Sequence, residues 1–306
     1  MMTDDQQTFT DHRNLLFSVA YRILGTAVDA EDVVQDAWFK WSAADRSRVA
    51  DPKAYLARIT ANLAMDRLRS TRHKREAYVG PWLPEPILTT GGAADAVEHA
   101  DSVSMAMLVV LETLSPLERA VFVLKEVFAF SHAEIAVAVE RSEPAVRQAA
   151  HRAREHVQAR RPRFAGDPAA TQEATQRFLA AATGGDINAL MELLAPEVTL
   201  WTDGGGKVRQ ALRPIEGASK VAAFMALLAQ RRPYEGVEQD AMTVDLVQVN
   251  GGPGITFSGA GRILGVLTVD LDADGRIRTV HNIANPDKLR DLAAGNLRDM
   301  GPRSAV

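Results

Sequence analysis

Leu15, Leu16, Val19, Ile23 and Leu24 recur at helical spacing and Gly25 follows them as a left-handed stop, so the chain opens on an amphipathic helix. A second helix is expected from near Asp29, with Val33, Val34, Ala37, Trp38 and Trp41 on one side. Aromatics at i, i+3 on such a stripe read as core ahead of partner contacts. Asp51 and Pro52 read as the N-cap and first-turn proline of a third helix, carried through Tyr55, Leu56, Ile59, Leu63 and Leu68. Gly80, Pro81, Pro84, Pro86, Gly91 and Gly92 then break the pattern over residues 76–95. Tyr78–Pro86 is therefore expected to be extended, with Trp82 and Leu83 docked on something, because an aromatic group gains nothing in a plain spacer.

Helical periodicity returns over residues 96–160 with clear start signals. Ser115-Pro-Leu-Glu118 and Ser131-His-Ala-Glu134 are both capping boxes. The second opens a short helix, His132–Val139, and Ser142 can cap another running to about Gln158. Helix, short turn and basic helix outline a helix-turn-helix. Val146, Ala149, Ala150, Ala153 and Val157 form the buried stripe of the last helix, while Arg147, Gln148, His151, Arg152 and Arg154 lie elsewhere on the cylinder, within reach of base edges and phosphates.

The remainder changes period. Asp167-Pro168 caps a helix through Phe178 and Leu179, Gly184-Gly185 ends it, and Ile187–Leu194 is a short second helix. Strands are expected at Val198–Thr202 and about Val208–Ile215, a helix at about Ser219–Gln230, and then at least three strands with hairpin turns at Asn250-Gly251 and Asp274-Gly275. This is an α+β unit closed by an antiparallel sheet.

Composition bounds the partners. With 306 residues, 46% of them apolar and 24% charged, the chain is long enough for two ordinary packed domains. The absence of cysteine removes disulfides, thiolate metal sites and thiol nucleophiles, and points to the cytosol. Seven scattered histidines offer no ligand spacing, so neither metal nor cofactor is expected. The longest wholly apolar run, Val221–Ala229, is too short to span a bilayer, and the first residues lack the basic and apolar regions of a signal peptide, so no membrane partner is expected.

The net charge of −4 argues against nucleic acid until it is divided by segment. Residues 1–51 carry nine acidic and five basic groups, whereas residues 53–75 stand at +6, residues 141–163 at +5, and residues 166–306 at −3. The two basic blocks are separate candidate footprints for phosphate, with a solvated helix face as the alternative for either alone.

Tyr21-Arg-Ile-Leu-Gly-Thr-Ala-Val-Asp-Ala-Glu-Asp-Val-Val-Gln-Asp-Ala-Trp-Phe39 resembles the core-polymerase-binding helix of an extracytoplasmic-function (ECF) sigma factor. Ala54-Tyr-Leu-Ala-Arg-Ile-Thr-Ala-Asn-Leu-Ala-Met-Asp-Arg-Leu-Arg69 resembles the adjoining −10-element reader, and Leu114 through Arg154 the −35-binding helix-turn-helix. Trp82-Leu-Pro-Glu-Pro86, Asp203-Gly-Gly-Gly-Lys207 and Asn285-Pro-Asp-Lys-Leu289 resemble signatures of the sigma-factor group with a SnoaL-like C-terminal extension of NTF2-like fold. The resemblance implies a multidomain chain of two all-α sigma domains, a helical bundle and a helix-turn-helix, followed by an α+β cone domain. Its expected boundaries are 1–75 for region 2, 76–95 for the linker, 96–163 for region 4, 168–295 for the SnoaL-like domain and 296–306 for a tail.

It also implies roles. Asp29, Asp32, Gln35 and Asp36 would face core RNA polymerase at its β′ clamp helices, region 4 would meet the β flap, and a helix N-terminus with its favourable acids is the alternative for that acidic stretch. Asn62, Arg67, Arg69, Arg72, Lys74 and Arg75 would hold the −10 strand of promoter DNA, and Arg147, Gln148, His151, Arg152 and Arg154 the −35 element. Trp82, Leu83, Pro84, Asp203, Gly204, Gly205, Gly206, Lys207, Asn285, Pro286, Asp287, Lys288 and Leu289 would form an interdomain, regulatory surface, through which the C-terminal domain acts in cis in place of a separate anti-sigma protein. Asp203-Gly-Gly-Gly-Lys207 lacks the spacing and hydroxyl of a P-loop, and three glycines suit a close backbone approach instead. Asp203, Asp245 and His281 are conceivable general bases, but single acids in strands are weak signals and no catalytic residue is assigned. Two readings stay open: a small-molecule ligand in the cone, and a helix-turn-helix regulator with a ligand-binding or residually enzymatic C-terminal domain.

Overall fold

The computed structural model describes residues 4–45, 47, 49–89, 103–160, 167–230 and 233–292, apart from the side chains at 4, 72–74, 229, 230, 239 and 291. The described residues form two units, a helical one within residues 4–76 and 107–160 and a sheet-bearing one within residues 77–89, 103–106 and 167–292.

In the helical unit, α1 (Asp4–Leu24), α2 (Ala27–Ser42) and α3 (Pro52–Glu76) pack around Leu16, Val34, Ala37, Trp41, Leu56 and Ile59. Trp41 is a core residue, with its indole N–H donating to the Asp5 carbonyl at 3.1 Å, and Trp38 packs edge-on against Phe9. Gly25 adopts φ +74° and lets α2 start at Ala27, earlier than the Asp29 the sequence suggests. Asp51 caps α3 as expected, accepting from the Ala54 N–H at 3.1 Å.

The second half of this unit holds α4 (Met105–Glu112), α5 (Pro116–Phe122), α6 (His132–Ala138) and α7 (Glu143–Arg160). Both capping boxes form, at Ser115 with Glu118 and at Ser131 with Glu134. Two features are absent from the periodicity: a π-helical turn, Val123–Val127, after α5, and the left-handed backbone of Glu140 (φ 54°) in the α6–α7 turn.

The sheet unit contains α8 (Pro168–Gly184), α9 (Ile187–Leu193) and α10 (Ala218–Gln230) laid over one face of a seven-stranded sheet. Its strands are β1 (Leu88–Thr89), β2 (Leu194–Asp203), β3 (Ile215–Glu216), β4 (Thr243–Val249), β5 (Gly252–Gly259), β6 (Arg262–Leu271) and β7 (Ile277–Ile283), in the order β1-β4-β5-β6-β7-β2-β3. Phe178, Leu200, Val221, Ile255, Leu267 and Val280 fill the core between helices and sheet. The sheet is mixed, since β2 runs parallel to β7. Asn250-Gly251 (φ 52° and 73°) makes the expected tight hairpin turn, and Ala260-Gly261 repeats that geometry between β5 and β6.

Of the expected strand at about Val208–Ile215, only Ile215 is in a strand, as the first residue of β3. Gly205 and Gly206 take left-handed φ, and the chain turns back so that the Lys207 N–H donates to the Gly204 carbonyl at 3.0 Å. The linker supplies a strand instead: Leu88 and Thr89 pair with Val249 and Gln248 at the β4 edge. A short helix, α11 (Pro286–Leu289), follows β7. The linker beyond Thr89 and the tail 296–306 lie outside the described residues.

Candidate functional site

The basic helix of the helix-turn-helix is arranged as its pattern requires. Val146, Ala149, Ala150, Ala153 and Val157 of α7 are buried, while Arg147, Gln148, His151, Arg152 and Arg154 are exposed. Three arginines are paired within the unit: Arg147 with Glu143 at 2.6 Å, Arg152 Nε with Glu118 at 2.7 Å, and Arg154 with Glu126 at 2.6 Å. Each guanidinium keeps further N–H donors for phosphate. Glu118 is itself fixed by the Ser115 cap; burial raises its pKa, but the hydrogen bonds from Arg152 and Ser115 hold it below the usual carboxylate range.

On α2, Val28, Asp32, Gln35, Asp36 and Phe39 are exposed on one stripe, and Phe39 is an apolar group the sequence reading does not single out. The acids are not all open to a partner. Arg67 of α3 donates to Asp29 and Asp32, both at 2.9 Å, and its hydrogen bond to Asp29 holds its pKa up. Arg67 thus buttresses the acidic helix, while Asn62 is half-buried and Arg69 is paired with Asp66 on the surface. Arg75, expected on DNA, is turned inward in this arrangement: it is ion-paired with Glu112 and donates to the Leu24 carbonyl, and burial pushes its pKa down. The side chains of Arg72 and Lys74 lie outside the described ones.

The three signature segments of the sheet unit converge on Asp203, at the end of β2 and fully buried. Its carboxylate accepts from the Tyr78 hydroxyl, from the Leu83 N–H at 2.9 Å, from Lys288 Nζ at 2.7 Å and from the Gly205 N–H at 3.1 Å. Lys288 also donates to the Leu83 carbonyl, and its ammonium lies 3.3 Å from the centroid of the Trp82 ring, a cation–π contact in a dry setting. Asn285 caps α11 through the Asp287 N–H and donates to the Tyr78 hydroxyl at 2.7 Å. Lys207 pairs with Asp287 at 2.6 Å on the surface. The glycines are required for this closeness. A Cβ on Gly205 would lie 2.4 Å from Asn285 Nδ2, and one on Gly206 3.0 Å from Val79.

From this anchor the linker runs through buried Leu83, Pro84, Glu85 and Pro86 to a second attachment. There the Asn250 N–H donates to the Ile87 carbonyl at 2.8 Å and the Ile87 N–H donates to Asn250 Oδ1 at 3.2 Å, after which β1 extends the sheet. The prolines give up no ladder hydrogen bond in a segment lying outside the strand ladders. The sequence reading marks Tyr78 only as the start of the extended stretch and Asn250 only as a turn residue, although each holds the linker.

The three conceivable general bases are separated. Asp203 is saturated by donors, Asp245 is exposed on β4, and His281 is buried on β7 with Nδ1 3.4 Å from Asp270 Oδ2. Burial lowers His281 to a pKa of about 4 and raises Asp270 to about 7.

Family models describe residues 8–74 as Sigma-70 region 2 and residues 104–157 as Sigma-70, region 4. The ECF RNA polymerase sigma factor SigJ of Mycobacterium tuberculosis is 41% identical over 288 residues, covering 90% of each chain. The chain belongs to the ECF RNA polymerase sigma factors. A probable ECF sigma factor of the same species, SigI, is 31% identical across 92% of this chain and 94% of its own. The crystal structure of M. tuberculosis SigJ superposes with a TM-score of 0.73 at 36% identity, covering 92% of this chain and 97% of that one, so the similarity includes the C-terminal α+β domain. As a sigma factor, this protein works with core RNA polymerase and promoter DNA, through α1–α3 as region 2 and α4–α7 as region 4. Among the described residues, no helix is long and apolar enough to cross a membrane.

Proposed function

We propose that this sigma factor initiates transcription in the cytoplasm under restraint from its own C-terminal domain, which acts by gripping the segment that joins region 2 to region 4. The observation that carries this reading is Asp203, whose single buried carboxylate binds the linker through Tyr78 and Leu83 and the C-terminal helix through Lys288. A tether held at Asp203 and again at Asn250 has lost the freedom a loose spacer would have, so the domain governs how far the two promoter readers can separate.

In the same reading Asp32, Gln35, Asp36, Phe39 and the buttressed Asp29 meet the β′ clamp helices, and region 4 meets the β flap. Asn62, Arg69, Arg72 and Lys74 take the −10 strand, Arg75 joins them once it is released, and Arg67 serves the polymerase surface through Asp29 and Asp32. Arg147, Gln148 and His151 read −35 bases between two phosphate-facing arginines, Arg152 and Arg154. The C-terminal domain has no catalytic role in this account, because the donors around Asp203 leave it no lone pair for a substrate proton and His281 is buried.

The test replaces both charged partners at once, so that no buried charge is stranded. In the full chain with D203L and K288M, multi-round transcription from a cognate promoter should rise several-fold at matched thermal stability. An unchanged or lowered yield would contradict restraint by this anchor.

A further inference from the structure

Three charged side chains meet where α1, α3, α4 and α5 converge inside the helical unit. Glu112, the last residue of α4, accepts from Arg75 in the final turn of α3 and is ion-paired with Arg119 of α5 at 2.9 Å. Arg75 also donates to the Leu24 carbonyl at the end of α1, and Arg119 Nε donates to the Arg22 carbonyl at 2.7 Å. The cluster is withdrawn from water, with side-chain exposures of 16% for Arg75, 14% for Glu112 and 1% for Arg119. Gly25 makes room for it: a Cβ there would stand 2.3 Å from Glu112 Oε1. Glu112 is the one acid in an otherwise apolar helix, Met-Ala-Met-Leu-Val-Val-Leu-Glu, and it faces two arginines.

Arg75 comes from the basic block of region 2 and Glu112 from region 4, so this pair joins the −10 reader to the −35 reader. Elsewhere along their boundary, Tyr55 and Arg58 of α3 and Ile135 and Val137 of α6 line one open cleft of about 570 Å³. Elements centred at −35 and −10 are 25 base pairs apart, about 85 Å along a duplex at 3.4 Å per pair. Regions whose helices touch cannot occupy both elements together.

We propose that Glu112 is an internal competitor for promoter DNA: it holds Arg75 in an ion pair that latches region 4 onto region 2, and the pair breaks when both elements are engaged. A phosphate oxygen offers Arg75 the same charge-assisted geometry as the carboxylate, so release from one is compensated by binding to the other. With Glu112 neutral, Arg75 and Arg119 face each other with no anion between them, and the closed form is disfavoured. This inference rests on the sigma-factor reading above for the roles of the two regions.

The chain has no cysteine, so S70C and Q158C introduce one label each on exposed positions of α3 and α7 of the full-length protein. Pulsed-dipolar distances are measured in the free chain, in the holoenzyme on a promoter fragment carrying both elements, and in the same labelled chain with Glu112→Gln. The free wild type should give one short distance, the promoter complex one longer by at least about 20 Å, and the Glu112→Gln chain a mixture of both without DNA. Glu112→Gln should also tighten binding to the two-element fragment about tenfold while leaving a −35-only fragment unchanged. The free-chain distance reads the latch alone and fragment binding reads the sigma assignment, so the two fail separately. A Glu112→Gln chain as closed as wild type overturns the latch, as does equal tightening on the −35-only fragment, which makes Glu112 a simple repeller of DNA. Were the variant to misfold, an unlengthened wild-type distance on the two-element promoter is enough to overturn it.

Discussion

Asp203 illustrates how a residue can be marked in a sequence while its role stays hidden. Its neighbours Gly204–Gly206 and the Asn285-Pro286 turn are visible as places where backbones come close, but its side-chain and linker partners are 85 to 125 residues away and no periodicity connects them. Removing the acid alone leaves the Lys288 ammonium buried without its carboxylate counter-ion, so Asp203→Ala should lower the stability of the C-terminal domain by about 3–5 kcal/mol in chemical denaturation. A loss below about 1 kcal/mol would show that the Lys288 ammonium has another outlet. Asp270 and His281 yield a pH signature. The folded pKa of Asp270, about 7, lies above its unfolded value, so its contribution to stability declines as pH rises from about 4 to 7. His281, at about 4, lies below its unfolded value, so its contribution grows between about 4 and 6.5, and the two oppose each other. Asp270→Asn should leave the histidine unopposed. The difference in unfolding free energy between variant and wild type should grow with pH across that window, by an amount on the order of 3 kcal/mol. A pH-independent difference would contradict the burial-driven shifts.

Among the elements, those specified by local chemistry were legible. Both capping boxes, the Asp51 and Asp167 caps, the Gly185 stop and the Asn250-Gly251 turn form where the sequence places them, because each is settled within four residues. The strand expected at Val208–Ile215 fails for the opposite reason: its alternation is local, but the loop is folded by glycines serving distant partners. Glu140 holds a conformation that L-residues avoid, in the turn that sets α7 against α6. Glu140→Gly should raise the thermal midpoint of region 4 by the equivalent of on the order of 1 kcal/mol, and an unchanged or lower midpoint would mean that the turn gains from the side chain. For α7, Arg152→Ala and Arg154→Ala should each flatten the salt dependence of −35 binding by about one unit, whereas changes at Arg147 or Gln148 should alter base preference. Unaltered slopes would place the DNA on another face of the helix.

At the scale of the whole molecule, the two basic blocks and the acidic helix pointed to nucleic acid and polymerase despite a net charge of −4, and the sigma-70 regions fall where those blocks lie. The linker was legible as an extended, docking segment but not as part of a sheet, since a two-residue strand has no pattern and its pairing partner lies 160 residues on. The division of the chain follows from that: residues 77–89 fold with the C-terminal domain rather than standing as a separate spacer. The buried cluster at Glu112 was illegible for a similar reason, as single charges far apart in sequence form one network only after folding. A sigma factor whose C-terminal domain grips its linker is tested most directly by run-off transcription with purified core polymerase. The wild-type chain should confer a single start site on core polymerase, and the D203L/K288M chain the same start at several-fold higher yield. Absence of any defined transcript from a chain that still binds the promoter, or equal yields from the two chains, would contradict it.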